Sequence, residues 1–92
     1  GKDWIGVGQE QGKFSTLRFK VSKRPFEVEK MVVTFGNGEK WSPKLRPKFG
    51  KDSWSRELKL PKGQRFVNKV TFFGRSVGKK GGMARVDIYG QR

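Results

Sequence analysis

Apolar and polar residues alternate with a period of two along most of this chain, a pattern typical of half-buried β-strands. In residues 14–21 the apolar side chains share one face and the cations share the other, namely Leu17, Phe19 and Val21 against Arg18 and Lys20. In residues 26–35 both faces are apolar, with Met31, Val33 and Phe35 on one and Val28, Val32 and Thr34 on the other. We therefore expect the strand at 26–35 to lie in the centre of a sheet.

Five further segments show alternation, and the residues between them favour turns. The segments are 4–7, 39–45, 54–60, 65–73 and 84–89. Asn37 and Gly38 predict a hairpin before residues 39–45. Pro43 lacks the amide hydrogen that an interior strand needs, so we expect this strand at a sheet edge.

Two of these segments have a clear apolar face. In residues 54–60 that face carries Trp54, Leu58 and Leu60, with a slip near Arg56 that indicates a β-bulge. In residues 84–89 it carries Ala84, Val86 and Ile88, opposite Arg85, Asp87 and Tyr89. The apolar face of each of these two segments is assigned to the interior of the fold.

The spacing of the segments predicts the fold class. No apolar stripe with helical spacing is long enough for a helix, and about seven or eight strands fit the 92 residues. We expect an all-β, single-domain antiparallel β-sandwich of jelly-roll type over residues 1–92, with a small β-barrel as the alternative.

Charge is the strongest compositional feature. The chain has 22 Lys and Arg against 8 Asp and Glu, a net charge of +14, and it has no His and no Cys. Without His or Cys, the usual acid–base pairs, nucleophilic pairs and zinc sites cannot be built. We therefore expect a protein that is not an enzyme and that uses no cofactor and no metal.

The cations cluster in the sequence, which predicts binding of polyanions. The expected anion-binding residues form a basic segment, a second group and one sheet face: Lys40, Lys44, Arg46, Lys48 and Lys51; Lys79, Lys80 and Arg85; and Arg18 with Lys20. Trp41 and Phe49 interleave with the basic segment and are candidates for stacking on a base or a sugar. The alternative for both aromatics is a place in the core.

Three functions follow from these patterns. The first is a non-enzymatic domain that binds polyanions, meaning nucleic acid, acidic polysaccharide or anionic envelope lipids. The second is a carbohydrate-binding module that uses Trp4, Trp41 and Trp54. The third is a structural or protein-interaction domain. No apolar run is long enough to span a bilayer, and the sequence leaves the oligomeric state open.

Five stretches resemble a family of small bacterial secreted or periplasmic proteins known as a domain of unknown function. They are residues 12–21, 31–38, 55–60, 67–72 and 84–90, and they cover about half of the chain. The resemblance implies a compact β-sandwich and export to the periplasm or beyond after loss of a leader. It implies no activity and no site residue. The absence of Cys is equally compatible with the cytoplasm.

Overall fold

A computed structural model describes residues 4–8, 12–78 and 82–92. This part of the chain contains ten β-strands and no helix: β1 (Ile5–Gly6), β2 (Lys13–Phe14), β3 (Thr16–Ser22), β4 (Phe26–Phe35), β5 (Lys40–Trp41), β6 (Lys48–Phe49), β7 (Ser53–Trp54), β8 (Leu58–Lys59), β9 (Arg65–Ser76) and β10 (Arg85–Gln91). The predicted all-β class is confirmed.

The strands form two antiparallel five-stranded sheets. The first sheet has the order β1-β10-β3-β7, with β8 also paired to β3. The second has the order β2-β9-β4-β5, with β6 also paired to β4. One sheet is curled into a half-barrel. The predicted two-sheet antiparallel architecture is confirmed, and β4 and β5 take the central and edge positions expected for them.

The hydrophobic core lies between the sheets. The first sheet contributes Leu17, Phe19 and Val21, and the second contributes Met31, Val33 and Phe35, each at most 2% exposed. The rings of Phe19 and Phe72 meet edge to face across the core, with centroids 5.0 Å apart. The alternation in 14–21 therefore fixed which face of β3 points inward, and Arg18 and Lys20 lie on its outer face.

The predicted faces of β4 need one correction. Val28 was expected opposite Met31, yet it is 7% exposed and belongs to the core. The pairing of β4 with β9 shifts register between Val28 and Lys30. A bulge of this kind adds one residue to a strand and reverses the alternation beyond it. Val28 therefore turns inward although it is three residues from Met31.

The segment at 54–60 is two strands rather than one, and Trp54 does not share the buried face of Leu58 and Leu60. Leu58 and Leu60 are buried, whereas Trp54 is 38% exposed. Between β7 and β8 the chain is held by Ser55, whose hydroxyl accepts a hydrogen bond of 2.9 Å from the amide of Phe19. The slip near Arg56 thus separates two short strands, and Trp54 lies on the outer face of the first sheet.

The basic segment crosses from one sheet to the other. It begins with β5 on the second sheet, continues through β6 on the other end of β4, and reaches the first sheet at β7. The predicted strand at 39–45 is therefore only two residues long, and β6 was not predicted. This path separates the cations of the segment, because Lys40 and Lys48 lie in the second sheet and the other three lie between strands.

Candidate functional site

Aromatic and cationic side chains meet on the outer face of the first sheet. Arg18 in β3 lies opposite Tyr89 in β10, and Lys20 in β3 lies opposite Trp54 in β7. Trp4 comes just before β1, the strand that pairs with β10. We call this surface the aromatic–cationic face, and it consists of Trp4, Arg18, Lys20, Trp54 and Tyr89.

Arg18 lies against the two indole rings of the face. Its guanidinium carbon is 4.2 Å from the ring centroid of Trp4 and 4.2 Å from that of Trp54. The ring of Trp54 also contacts Tyr89, with centroids 5.3 Å apart, and the Lys20 ammonium is 5.8 Å from its centroid. Each cation–π contact of this kind stabilises the arrangement by about 0.5–1 kcal/mol or more. The face is therefore a packed assembly rather than a set of separate surface residues.

The hydrogen-bond donors of Arg18 have no acceptor among the described residues. Its Nε atom is buried and makes no hydrogen bond, and no carboxylate forms an ion pair with the guanidinium. The rings contact the flat sides of the guanidinium. They do not use its N–H donors, which lie in the plane of the group. These donors form a planar fork that matches carboxylate, sulfate and phosphate groups.

The arrangement combines a cation with an exposed aromatic ring. Lys20 supplies a second positive charge beside Arg18, and Trp54 is 38% exposed. Cations beside aromatic rings are the combination that proteins use to hold the charged backbone and the flat rings of an anionic polymer. This surface can therefore make ionic contacts and ring-stacking contacts with a ligand.

The predicted anion-binding residues do not form one patch. Arg18 and Lys20 lie on the outer face of the first sheet, whereas Lys40 lies on the outer face of the second. Lys48 is exposed in β6 of the second sheet, and Lys44 and Lys51 are exposed in the segments before and after β6. Lys79 and Lys80 lie outside the described residues.

Two of the predicted cations have local partners. Arg85 forms an ion pair of 3.0 Å with Asp87 on its own strand, so its charge is partly balanced. The Arg46 guanidinium covers the ring of Phe49, 4.4 Å from its centroid. These contacts make Arg85 and Arg46 weaker candidates than Arg18 for binding an anion.

Stacking on Trp41 and Phe49 is not supported by their positions. Phe49 is 3% exposed and packs edge to face on Phe19, with centroids 4.9 Å apart. Trp41 is half-buried, pairs with Val33, and packs against the core. Phe49 is therefore a core residue, as the alternative had it. Trp54, which is 38% exposed, is the better candidate for stacking.

The sequence contains a signal for the outward position of Trp54, although the prediction placed it on the same face as Leu58 and Leu60. The slip near Arg56 separates Trp54 from Leu58 by a break in alternation, and such a break reverses the face on which a residue lies. Carried one step further, the slip places Trp54 outside. The contact between Trp54 and Arg18 depends on strand pairing, which alternation alone does not give.

A separate cluster of charges closes the hairpin between β4 and β5. Glu39 binds Lys62 at 3.1 Å, Asn37 at 2.9 Å, and Arg65, whose guanidinium lies 3.8 Å from the ring centroid of Phe35. Hydrogen bonds from Asn37, Lys62 and Arg65 lower the pKa of Glu39 from 4.5 to about 2. The cluster uses two cations to balance one carboxylate, so we assign it to the turn and not to ligand binding.

Within residues 4–8, 12–78 and 82–92, no three Asp or Glu side chains are close enough together to bind a metal. The same residues include no helix that is long and apolar enough to cross a bilayer.

A family model with the description "Domain of unknown function (DUF2541)" matches residues 1–90. No curated protein and no solved structure matches the chain.

Proposed function

The chain belongs to the DUF2541 family, whose description assigns no activity, and we propose that it is a non-enzymatic domain that binds polyanions on the aromatic–cationic face. The observation that carries this proposal is Arg18, which contacts two tryptophan rings and has no acceptor for its donors among the described residues. An anionic group supplies that acceptor.

The net charge supports the same function. A small domain needs a net charge of about 2–8 for solubility, and this one carries +14. A surplus of this size destabilises the compact state through self-repulsion. Binding of a polyanion relieves that repulsion and favours the folded chain.

The first experiment measures the affinity for single-stranded DNA by fluorescence anisotropy over a range of salt concentrations. Each charge lost from the contact is expected to reduce the slope of log K against log salt by roughly 0.7. Arg18→Gln and Lys20→Gln should each show this reduction. Lys13→Gln is the matched control, because Lys13 is an exposed lysine in β2 of the second sheet, away from the face.

Arg18→Lys separates charge from geometry. It keeps the positive charge and loses the planar fork, so the salt slope should stay near that of the wild type while the affinity falls. A heparin column repeats the comparison with an acidic polysaccharide. The proposal is overturned by a wild type that binds neither polymer at low salt, or by an Arg18→Gln variant that folds and binds as the Lys13→Gln control does.

A neutral carbohydrate is the second candidate ligand, because Trp54 is exposed beside Tyr89 and sugar rings pack on such surfaces. Tryptophan fluorescence titrated with neutral oligosaccharides at high salt tests this candidate. A saturable response that persists in salt favours the sugar, whereas a response to acidic polymers alone that disappears in salt favours the ionic mechanism.

A further inference from the structure

A groove of about 400 Å³ lies on the outer face of the second sheet, on the side of the sandwich away from the aromatic–cationic face. Three lysines and three hydroxyl side chains line it: Lys30, Lys40 and Lys69, with Thr34, Ser42 and Thr71. We call it the three-lysine groove. Of these residues, only Lys40 was a candidate from the sequence.

Strand register brings two of the lysines to either side of one threonine. Thr34 in β4 lies opposite Lys40 in β5 and opposite Lys69 in β9. Neighbouring strands are roughly 4.7–4.9 Å apart, so the two lysines begin about 10 Å from each other with the threonine between them. Because lysine side chains are long and flexible, their ammonium groups can meet above Thr34.

The three lysines lack anionic partners. The side chain of none of them forms a hydrogen bond or an ion pair with any described residue. Glu29 is next to Lys30 in β4 and forms no ion pair with it, whereas Glu27 is engaged with Arg75 and Glu39 with Arg65 and Lys62. Three like charges in one groove repel each other, and an anion bound between them removes that repulsion.

Thr34 provides an independent observation. It is 7% exposed, and its Oγ1 atom is buried without a hydrogen-bond partner. Buried hydroxyl groups in folded proteins nearly always have a partner, because burial removes the hydrogen bonds that water would make. The Thr34 hydroxyl is therefore a donor with no acceptor among the described residues, and an anion in the groove would supply one.

We propose that the three-lysine groove binds a phosphate or sulfate group, with Lys40 and Lys69 balancing its charge and the Thr34 hydroxyl donating to one of its oxygens. Phe73, which is 50% exposed at the Lys30 end of the groove, provides an apolar contact for the molecule that carries the group. The proposal does not depend on the aromatic–cationic face.

The test follows backbone amides by NMR while inorganic phosphate or sulfate is added at an ionic strength held constant with sodium chloride. The amides of Thr34, Thr71 and Lys69 should shift and saturate with at least one of the two anions. Phenyl phosphate should bind more tightly than inorganic phosphate, because its ring can lie on Phe73. The phosphate and sulfate arms show which of the two groups the groove prefers.

Thr34→Val is the decisive variant, because it removes the hydroxyl and keeps the shape of the side chain. We expect a loss of affinity of about three- to tenfold, the effect of one hydrogen bond. Its unfolding temperature should equal or exceed that of the wild type, because a buried unpartnered hydroxyl has been removed. Loss of binding together with retained stability distinguishes a ligand contact from a structural defect.

Lys69→Gln should also weaken binding, and Lys51→Gln is its matched control. Both substitutions remove one positive charge, but Lys51 is exposed in the turn before β7, outside the groove. Amide shifts that change linearly with phosphate or sulfate, and by the same amount with chloride, would show charge screening alone. That result would overturn the proposal. So would a Thr34→Val variant that binds phosphate and sulfate as tightly as the wild type does.

Discussion

Gly74 is a residue at which the fold leaves no space for a side chain. It pairs with Val28 at the bulge between β4 and β9. A Cβ atom built on Gly74 would overlap the backbone carbonyl oxygen of Glu27 and would lie 3.0 Å from the ring of Phe26. Because the obstructing atom belongs to the backbone, it cannot move without disturbing the longest strand pair in the molecule.

Gly74→Ala is therefore expected to destabilise the protein by about 1–3 kcal/mol, the usual range for overpacking. In a domain of this size that lowers the unfolding temperature by roughly 4–8 °C for each kcal/mol. Gly50→Ala is the control, because a Cβ at Gly50 meets nothing within 4 Å. Thermal unfolding followed by circular dichroism makes the comparison, and equal stabilities for the two variants would contradict the prediction.

Among the elements, the hairpin between β4 and β5 has the densest polar contacts. Asn37 accepts a hydrogen bond of 3.0 Å from the amide of Glu39 and donates one of 2.9 Å to its carboxylate. Lys62, in the turn before β9, and Arg65, at the start of β9, bind the same carboxylate. The carboxylate of Glu39 therefore joins the hairpin to its neighbouring strand.

These contacts predict a pH dependence of stability with a defined sign. The pKa of Glu39 is lowered from 4.5 to about 2 in the folded protein. The folded state thus favours the charged form, and the stabilisation is complete above pH 4.5 and is lost as the pH falls towards 2. Glu39→Gln should be less stable than the wild type at pH 7, and the difference should shrink between pH 4.5 and 2. A difference that stays constant down to pH 2 would be inconsistent with this assignment.

The elements also show how far alternation predicts this fold. The predicted bounds of β4 agree with the structure, because a long alternating segment lies between Pro25 and the Gly36-Asn37-Gly38 turn. The two-residue strands β5, β6, β7 and β8 each cover a single period of alternation. One period is too short to identify a strand by itself. Trp54 was assigned to the wrong face because its segment was interpreted as one strand across the slip near Arg56.

The candidate sites were predictable only in part, for a related physical reason. Alternation placed Arg18 and Lys20 on an outer face, and the fold agrees with this. Which residues meet there depends on how distant strands pair, as in the contacts of Arg18 with Trp4 and Trp54. Clustering along the sequence grouped the cations of the basic segment, but the fold places Lys40 and Lys48 at opposite ends of β4 and the other three between strands.

On the scale of the whole molecule, the positive charge is divided between opposite sides of the sandwich. The aromatic–cationic face lies on the outside of the first sheet and the three-lysine groove on the outside of the second, with the core between them. A short anionic chain that lies on one of these surfaces does not reach the other. If both proposals hold, each protein molecule binds two such chains.

Two opposed sites make the protein a bridge between long polyanions. Mixing it with long dextran sulfate should therefore produce large assemblies, detected by light scattering, whereas an oligosaccharide of a few sulfated sugars should not. Lys69→Gln and Lys51→Gln carry the same net charge, but only the first removes a residue of the groove. Scattering should fall more for Lys69→Gln than for Lys51→Gln, because bridging needs both surfaces. Equal scattering from the two variants would show that total charge, and not its division between two faces, drives the assembly.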